Sequence, residues 1–162
     1  LTDPQAATVK AAINASTDPD IVAARGGGAW STDKITLLMN KDAVPDFYVW
    51  KQSLTLADIS DAFLWSEVKT LPAGEARVFE WMMLTGVIDP SKTNVRAGIA
   101  SAFQTSASNS YAAILTASVR KCSAIEYIFA FATGSGTVGG PATLVFAGPC
   151  SEDDIIKAMT SA

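Results

Sequence analysis

The sequence predicts a mainly α fold: a bundle of short helices with one β-hairpin or strand arm near the C-terminus. Three observations predict it. Asp-Pro and Ser/Thr signatures recur ahead of segments whose apolar residues fall three or four apart, the pattern of capped amphipathic helices. Glycines stop such segments at Gly26 and Gly86, as they commonly do just past a helix end. The strand signal is strong only at Thr143-Leu144-Val145-Phe146, behind the flexible run from Gly134 to Pro141. A length of 162 residues suits one domain. The chain therefore reads as a single helical domain over 1–162, with a Gly-rich β arm at about 133–149 and a short C-terminal helix at 151–160.

Asp3 and Pro4 open the first helix, Pro occupying a position whose N–H needs no partner, and it runs to about Asn14. Asp18-Pro19 opens a second, from Asp20 to Arg25. Gly26-Gly27-Gly28 then forms a hinge or a point of close backbone approach. It is no phosphate loop, having neither a preceding strand nor a Gly-Lys-Ser/Thr end. Ser31 or Thr32 caps a helix carrying Ile35, Leu37, Leu38 and Met39. Val44 to Trp50 reads as extended, because Pro45 pushes the residue before it out of the helical region. Thr55 with Asp58 is a capping-box variant opening a helix through Ile59, Phe63 and Leu64.

Pro72 starts a helix that runs to Leu84. Val78, Phe79, Trp81, Met82, Met83 and Leu84 leave it almost no polar face, so burial on several sides is expected, in the core or in a subunit contact. Asp89-Pro90 repeats the cap signature ahead of Val95, Ile99 and Phe103. Ser106 to Ser110 is a small polar loop, after which Tyr111, Ile114, Leu115 and Val119 fall at helical spacing. Ser123 with Glu126 is a further capping box, and Ser151 with Asp154 caps a terminal helix holding Ile155, Ile156 and Met159. The layout is six to eight short helices.

Composition narrows the chemistry. Charged residues are 17% and hydrophobic ones 49%, against about 25% charged in an average domain, which suggests an exterior partly covered by something else. The absence of histidine removes imidazole triads, imidazole metal sites and the usual general base. The serines and cysteines lack an activating partner, and no Ser-x-x-Lys motif replaces it. The chain is expected to be no enzyme, with no catalytic residues, no metal and no cofactor. Glu152-Asp153-Asp154 could help hold a hard cation; acids in a helix's first turn are the preferred reading, since the macrodipole favours them there. A pI near 4.7 and singly scattered basic residues give no electrostatic footprint for nucleic acid. The apolar stretch Ala124 to Ala132 is far shorter than the roughly 20 residues of a membrane span. Leu1 to Pro4 has no basic region leading into an apolar run, so no signal peptide is expected.

Cys122 and Cys150 are too few for a disulfide scaffold or a four-ligand zinc site. They are a candidate disulfide, within the chain or between subunits, or two packed thiols, the preferred reading. Of four tryptophans, Trp65 and Trp81 lie in amphipathic helices and suit core filling. Trp50, in the extended segment, suits core and interface equally. Arg96 could reach a carboxylate across a subunit boundary, solvation of its helix being the alternative. A strand behind a glycine leash must form a hairpin or add to a neighbouring sheet to satisfy its backbone.

Three stretches carry a resemblance. They are Pro45 to Lys51 followed by Leu54-Thr55-Leu56; Val87 to Ser91 continuing through Asn94 to Gly98 and Phe103; and Arg120-Lys121 with Glu126, Phe131 to Gly136, and Pro141 to Gly148. Together they are similar to a group of small tailed-bacteriophage virion structural proteins, over most of the chain from Pro45 to about Lys157. None is a catalytic motif. The helical layout with one hairpin also resembles head-to-tail adaptors (connector or neck proteins), which sit as a ring beneath the portal, although the long C-terminal helix of many adaptors is missing. The resemblance implies a homo-oligomeric ring matching the portal's symmetry, with the portal protein and a downstream neck or tail protein as partners. It implies DNA passing through the ring without specific recognition, no membrane, and residence at the head-to-tail junction of the virion after synthesis in the host cytoplasm. A ring subunit needs two complementary faces, to which the helix with Phe79, Trp81 and Met82 and the strand Thr143, Leu144, Val145 and Phe146 are expected to contribute. Deleting Gly136 to Phe146 is then expected to leave a folded subunit that no longer assembles. A capsid decoration or tail-completion protein, a non-viral helical protein-binding module, and an enzyme with an unrecognised site remain alternatives.

Overall fold

The computed structural model describes every residue except 27–29, 62, 104–108, 130 and 162, together with the side chain of residue 132. The fold is mainly α with a few short strands. In chain order the elements begin with α1 (Asp3–Ala15), α2 (Pro19–Arg25), α3 (Thr32–Met39), β1 (Tyr48–Trp50) and β2 (Leu54–Thr55). Then come α4 (Leu56–Ser60), α5 (Trp65–Lys69), α6 (Ala73–Leu84), β3 (Val87–Ile88), α7 (Thr93–Phe103) and α8 (Asn109–Ala117). The chain finishes with β4 (Val119–Lys121), α9 (Ala124–Ile128), β5 (Phe131–Thr133), β6 (Thr143–Leu144) and α10 (Glu152–Thr160). Where the length predicts one domain, the chain divides into two compact units, each with a core of its own.

The first unit comprises Leu1–Phe47, Lys121–Gly134 and Leu144–Ala162. Spacings of three and four in α1 put Ala6, Val9 and Ile13 on one buried stripe, and α10 does the same with Ile155, Ala158 and Met159. Ile35 and Met39 of α3, Ile125 of α9 and Phe129 complete this core; each large aliphatic so buried contributes about 1.5–3 kcal/mol. The helix ends are tied down. Thr2, not the expected Asp3, caps α1: Gln5 N–H donates to Thr2 Oγ1 at 3.4 Å and Thr2 N–H donates to Gln5 Oε1 at 2.8 Å. This reciprocal box moves Pro4 to the second helical position. Arg25 closes the other end of α1 by donating to the carbonyls of Ile13 and Asn14. Asp18 caps α2 as its sequence indicates, accepting from Asp20 N–H at 2.8 Å. Of the glycine hinge, residues 27 and 28 lie outside the described residues.

The second unit comprises Tyr48–Arg120 and Ser135–Thr143. Its core joins Leu54, Ile59, Ile88, Ile99, Ala102 and Ile114 to an aromatic cluster. The rings of Phe63, Phe79 and Phe103 meet at centroid distances of 5.1, 5.3 and 6.1 Å. β2 and β3 are antiparallel, with Leu54 opposite Ile88 and Thr55 opposite Val87. The single helix expected from Thr55 through Leu64 is instead the pair α4 and α5, with Phe63 and Leu64 between them. The break lets Glu67 reach the start of α8, where its carboxylate accepts from Asn109 N–H at 3.0 Å and Ser110 N–H at 2.9 Å. Asp89-Pro90 is likewise not a helix cap. Asp89 Oδ1 accepts from Ser91 N–H at 3.0 Å, closing an Asx turn, and α7 begins only at Thr93. Val119, expected at helical spacing, lies in β4 because Ser118 ends α8 by donating its hydroxyl to Ile114 O. Of the expected polar loop, residues 106–108 lie outside the described residues.

The Gly-rich segment is built into this unit. Gly140 N–H donates to Thr137 O, and Ser135 and Gly136 N–H both donate to Gly140 O, making a closed turn. Tyr48 N–H then donates to Gly136 O at 2.8 Å, Trp50 N–H to Ala142 O at 3.0 Å, and Ala142 N–H to Tyr48 O at 2.9 Å. Ala142 is fully buried. The leash therefore supplies backbone partners to β1, and removing Gly136 to Phe146 would take them from the half-buried Tyr48 and Trp50. The deletion therefore costs the second unit these bonds, whatever it does to assembly.

Candidate functional site

Among the described residues, no group of three or more His, Cys, Asp or Glu is placed to hold a metal ion, and no helix is long and apolar enough to cross a membrane. The chemistry on offer is that of a surface, and it centres on α6. Ala73, Glu75, Ala76, Arg77 and the run Met82 to Leu84 are strong helix formers. The helix stops where Thr85 Oγ1 donates to Met82 O at 2.7 Å and Gly86 adopts a φ of 71°, a left-handed turn that favours glycine.

Two faces of α6 differ. Phe79, Met82 and Met83 turn towards the aromatic core. Gly98 of α7 permits this approach, since a Cβ there would stand 3.2 Å from Met82 Sδ. Gly74, Arg77, Val78, Trp81 and Leu84 face away from it. Trp81 is 77% and Leu84 81% exposed, and no residue of α6 is fully buried. The expected burial on several sides is thus realised on one side only. Leu64, Trp65, Leu56 and Val87 of the same unit are also exposed, Trp65 to 63%. Large exposed apolar side chains mark candidate interaction surface, and the first unit carries some as well, Leu37 at 64%, Val44 at 92% and Val145 at 66%.

The structure separates the other sequence-derived candidates. Trp50 is half-buried with the Arg96 guanidinium 4.7 Å above its ring centroid. Arg96 also donates to Pro90 O at 2.6 Å, Ser91 O at 2.8 Å and Thr93 Oγ1 at 3.2 Å. Within the chain Arg96 locks the turn before α7, and Trp50 is its platform. Phe79 and Met82 are half-buried on the inner face of α6. Thr143 is half-buried and Leu144 buried, whereas Val145 is exposed; Phe146 packs against Phe129 with tilted rings 4.8 Å apart, at the edge of the first unit's core. Only Trp81 and Val145 of the nine expected interface residues present most of their surface.

Cys122 and Cys150 form no disulfide with each other, and both are buried. Burial pushes the Cys150 thiol up from its ordinary value. The Asn40 amide pairs with its backbone, Nδ2 donating to Cys150 O and Cys150 N–H donating to Oδ1, both at 2.9 Å. The Glu152 to Asp154 run forms the first turn of α10: Asp154 N–H donates to Ser151 Oγ at 3.2 Å and Ser151 N–H to Asp154 Oδ2 at 3.0 Å. Asp154 is held down to about 2, first by the Leu1 α-ammonium 2.6 Å away and then by Ser151 N–H. A hollow of about 400 Å³ in the first unit is lined by Asp18, Asp20 and Asp42 beside Ile21, Met39 and Ile128; Asp18 is already engaged as the α2 cap.

Sequence reasoning passed over Gly74 and Arg77. Their signal is the spacing of Gly74, Arg77, Trp81 and Leu84, three, four and three residues apart, which is one helical stripe. No family model matches the sequence, and no curated protein and no solved structure matches it either.

Proposed function

We propose that the protein is a structural subunit of a tailed-bacteriophage particle, a head-to-tail adaptor forming a ring between the portal and the next neck or tail protein. The observation that carries the reading is the outward stripe of α6, where Trp81 and Leu84 stand about four-fifths exposed on an otherwise folded unit. A subunit that functions alone gains nothing from that surface; one whose exterior is completed by neighbours requires it. The similarity of Pro45 to Lys51, Val87 to Phe103 and Arg120 to Gly148 to small phage structural proteins supplies the context. In a closed ring each subunit offers one face to a neighbour and accepts another, and α6 with exposed Val145 provides candidate contacts. The bore would pass DNA without reading it, in keeping with a net charge of −4.

Copy number in purified particles, measured by quantitative mass spectrometry against the portal protein, tests the reading. A ratio near one supports the adaptor. A ratio near that of the major capsid protein replaces it with a decoration protein, and absence from the particle overturns the structural role.

A further inference from the structure

The stripe Gly74, Arg77, Trp81 and Leu84 is symmetric about position 79, because 74 and 84, like 77 and 81, lie equally far from it. Two copies of α6 laid antiparallel about that point bring Gly74 opposite Leu84 and Arg77 opposite Trp81, twice over. Each pairing is complementary. A Cβ at Gly74 would meet nothing within 4 Å, and a hollow of about 430 Å³ bordered by Gly74, Arg77, Val78, Trp81 and Met82 opens beside it. Leu84, the most exposed of the large apolar side chains on α6, fills such a hole as a knob. The Arg77 guanidinium meets the face of an indole, the best aromatic partner for a cation. Parallel packing would instead set Arg77 against Arg77 and leave Gly74 facing Gly74.

We infer that the free protein is a two-fold dimer whose subunits pair through antiparallel α6 helices, a second copy of this chain being the occupant of the exposed stripe. The contact is isologous and closes at two copies. It therefore opens before α6 can meet a ring neighbour, and it keeps the stripe covered until then. Dimer and ring use the same stripe but are tested apart: sedimentation of the free chain reads the dimer, and copy number in particles reads the ring.

Sedimentation of the full chain across the micromolar range tests it, with a dimer expected. Arg77→Glu places a carboxylate over the opposing indole and is expected to raise the dissociation constant at least about tenfold, with an unchanged circular dichroism spectrum. The exchange Arg77→Trp with Trp81→Arg rebuilds the same pair with its roles reversed and is expected to restore the dimer. Under mild oxidation, mixed Gly74→Cys and Leu84→Cys subunits are expected to cross-link chiefly to one another. A wild-type chain monomeric throughout, an unimpaired Arg77→Glu dimer, or preferential Gly74→Cys homodimers would each overturn the proposal.

Discussion

In the first unit α1 and α10 bury three side chains each on continuous stripes and begin in reciprocal capping boxes, while in the second unit α5 and α6 bury none. The first unit joins its elements by polar ties: Lys157 pairs with Asp3 at 2.8 Å and Lys121 with Asp46 at 2.7 Å. Glu126, 2% exposed, accepts from Ser123 N–H at 3.0 Å and Gly148 N–H at 2.8 Å. The second unit relies on a cluster of rings and leaves Trp65, Trp81 and Leu84 in solvent. The contrast lies in how the helices are used: α1 and α10 turn continuous stripes into one shared core, whereas α6 gives only its inner side to a core and leaves its outer stripe in solvent.

Substitutions can break that contrast. Ile13→Ala empties a fully buried site of the first unit and is expected to cost about 2–5 kcal/mol in urea unfolding. Glu126→Ala, which leaves the Ser123 and Gly148 N–H groups without their acceptor, is expected to cost about 2–3 kcal/mol. Acid sharpens the picture next. Asp154 is lowered to about 2 from an ordinary 3.8, so its contribution is complete above about pH 4 and fades as the pH falls towards 2. Asp154→Asn should flatten the urea midpoint over that window. Smallest in folding is Trp81→Ala, expected within about 0.5 kcal/mol of wild type because the side chain is exposed; its effect should appear in sedimentation as loss of the dimer. A large folding loss from Trp81→Ala would show that the second unit needs this residue for its own sake.

The sequence was most informative where an interaction spans three residues. The boxes Thr55–Asp58, Ser123–Glu126 and Ser151–Asp154 all form as their local pattern indicates. It was least informative where a distant side chain takes over a local signal. Asp89-Pro90 has the composition of a helix start, but Arg96 holds the Pro90 and Ser91 carbonyls and rests on Trp50, a partner no local window contains. Glu67 caps α8 from α5, again across a long sequence interval. The surface was half legible: the apolar run from Val78 to Leu84 flagged a contact helix, yet hydrophobicity alone could not say that one side would stay open. Deciding that required knowing which residues of α7 lie against it, Gly98 above all.

Neither unit is a continuous stretch of chain, and α1 packs against α10 across the sequence, with Leu1 and Asp154 joined over a separation of 153 residues. During synthesis, α1 leaves the ribosome long before its packing partner exists. Closing so long a loop is entropically expensive and slow relative to local helix formation. Until residues 152–160 arrive, the stripe of Ala6, Val9 and Ile13 stays partly uncovered, and a chain cut short before α10 cannot cover it. Proteolytic resistance of α1 would therefore report on whether translation had passed the far end of the fold.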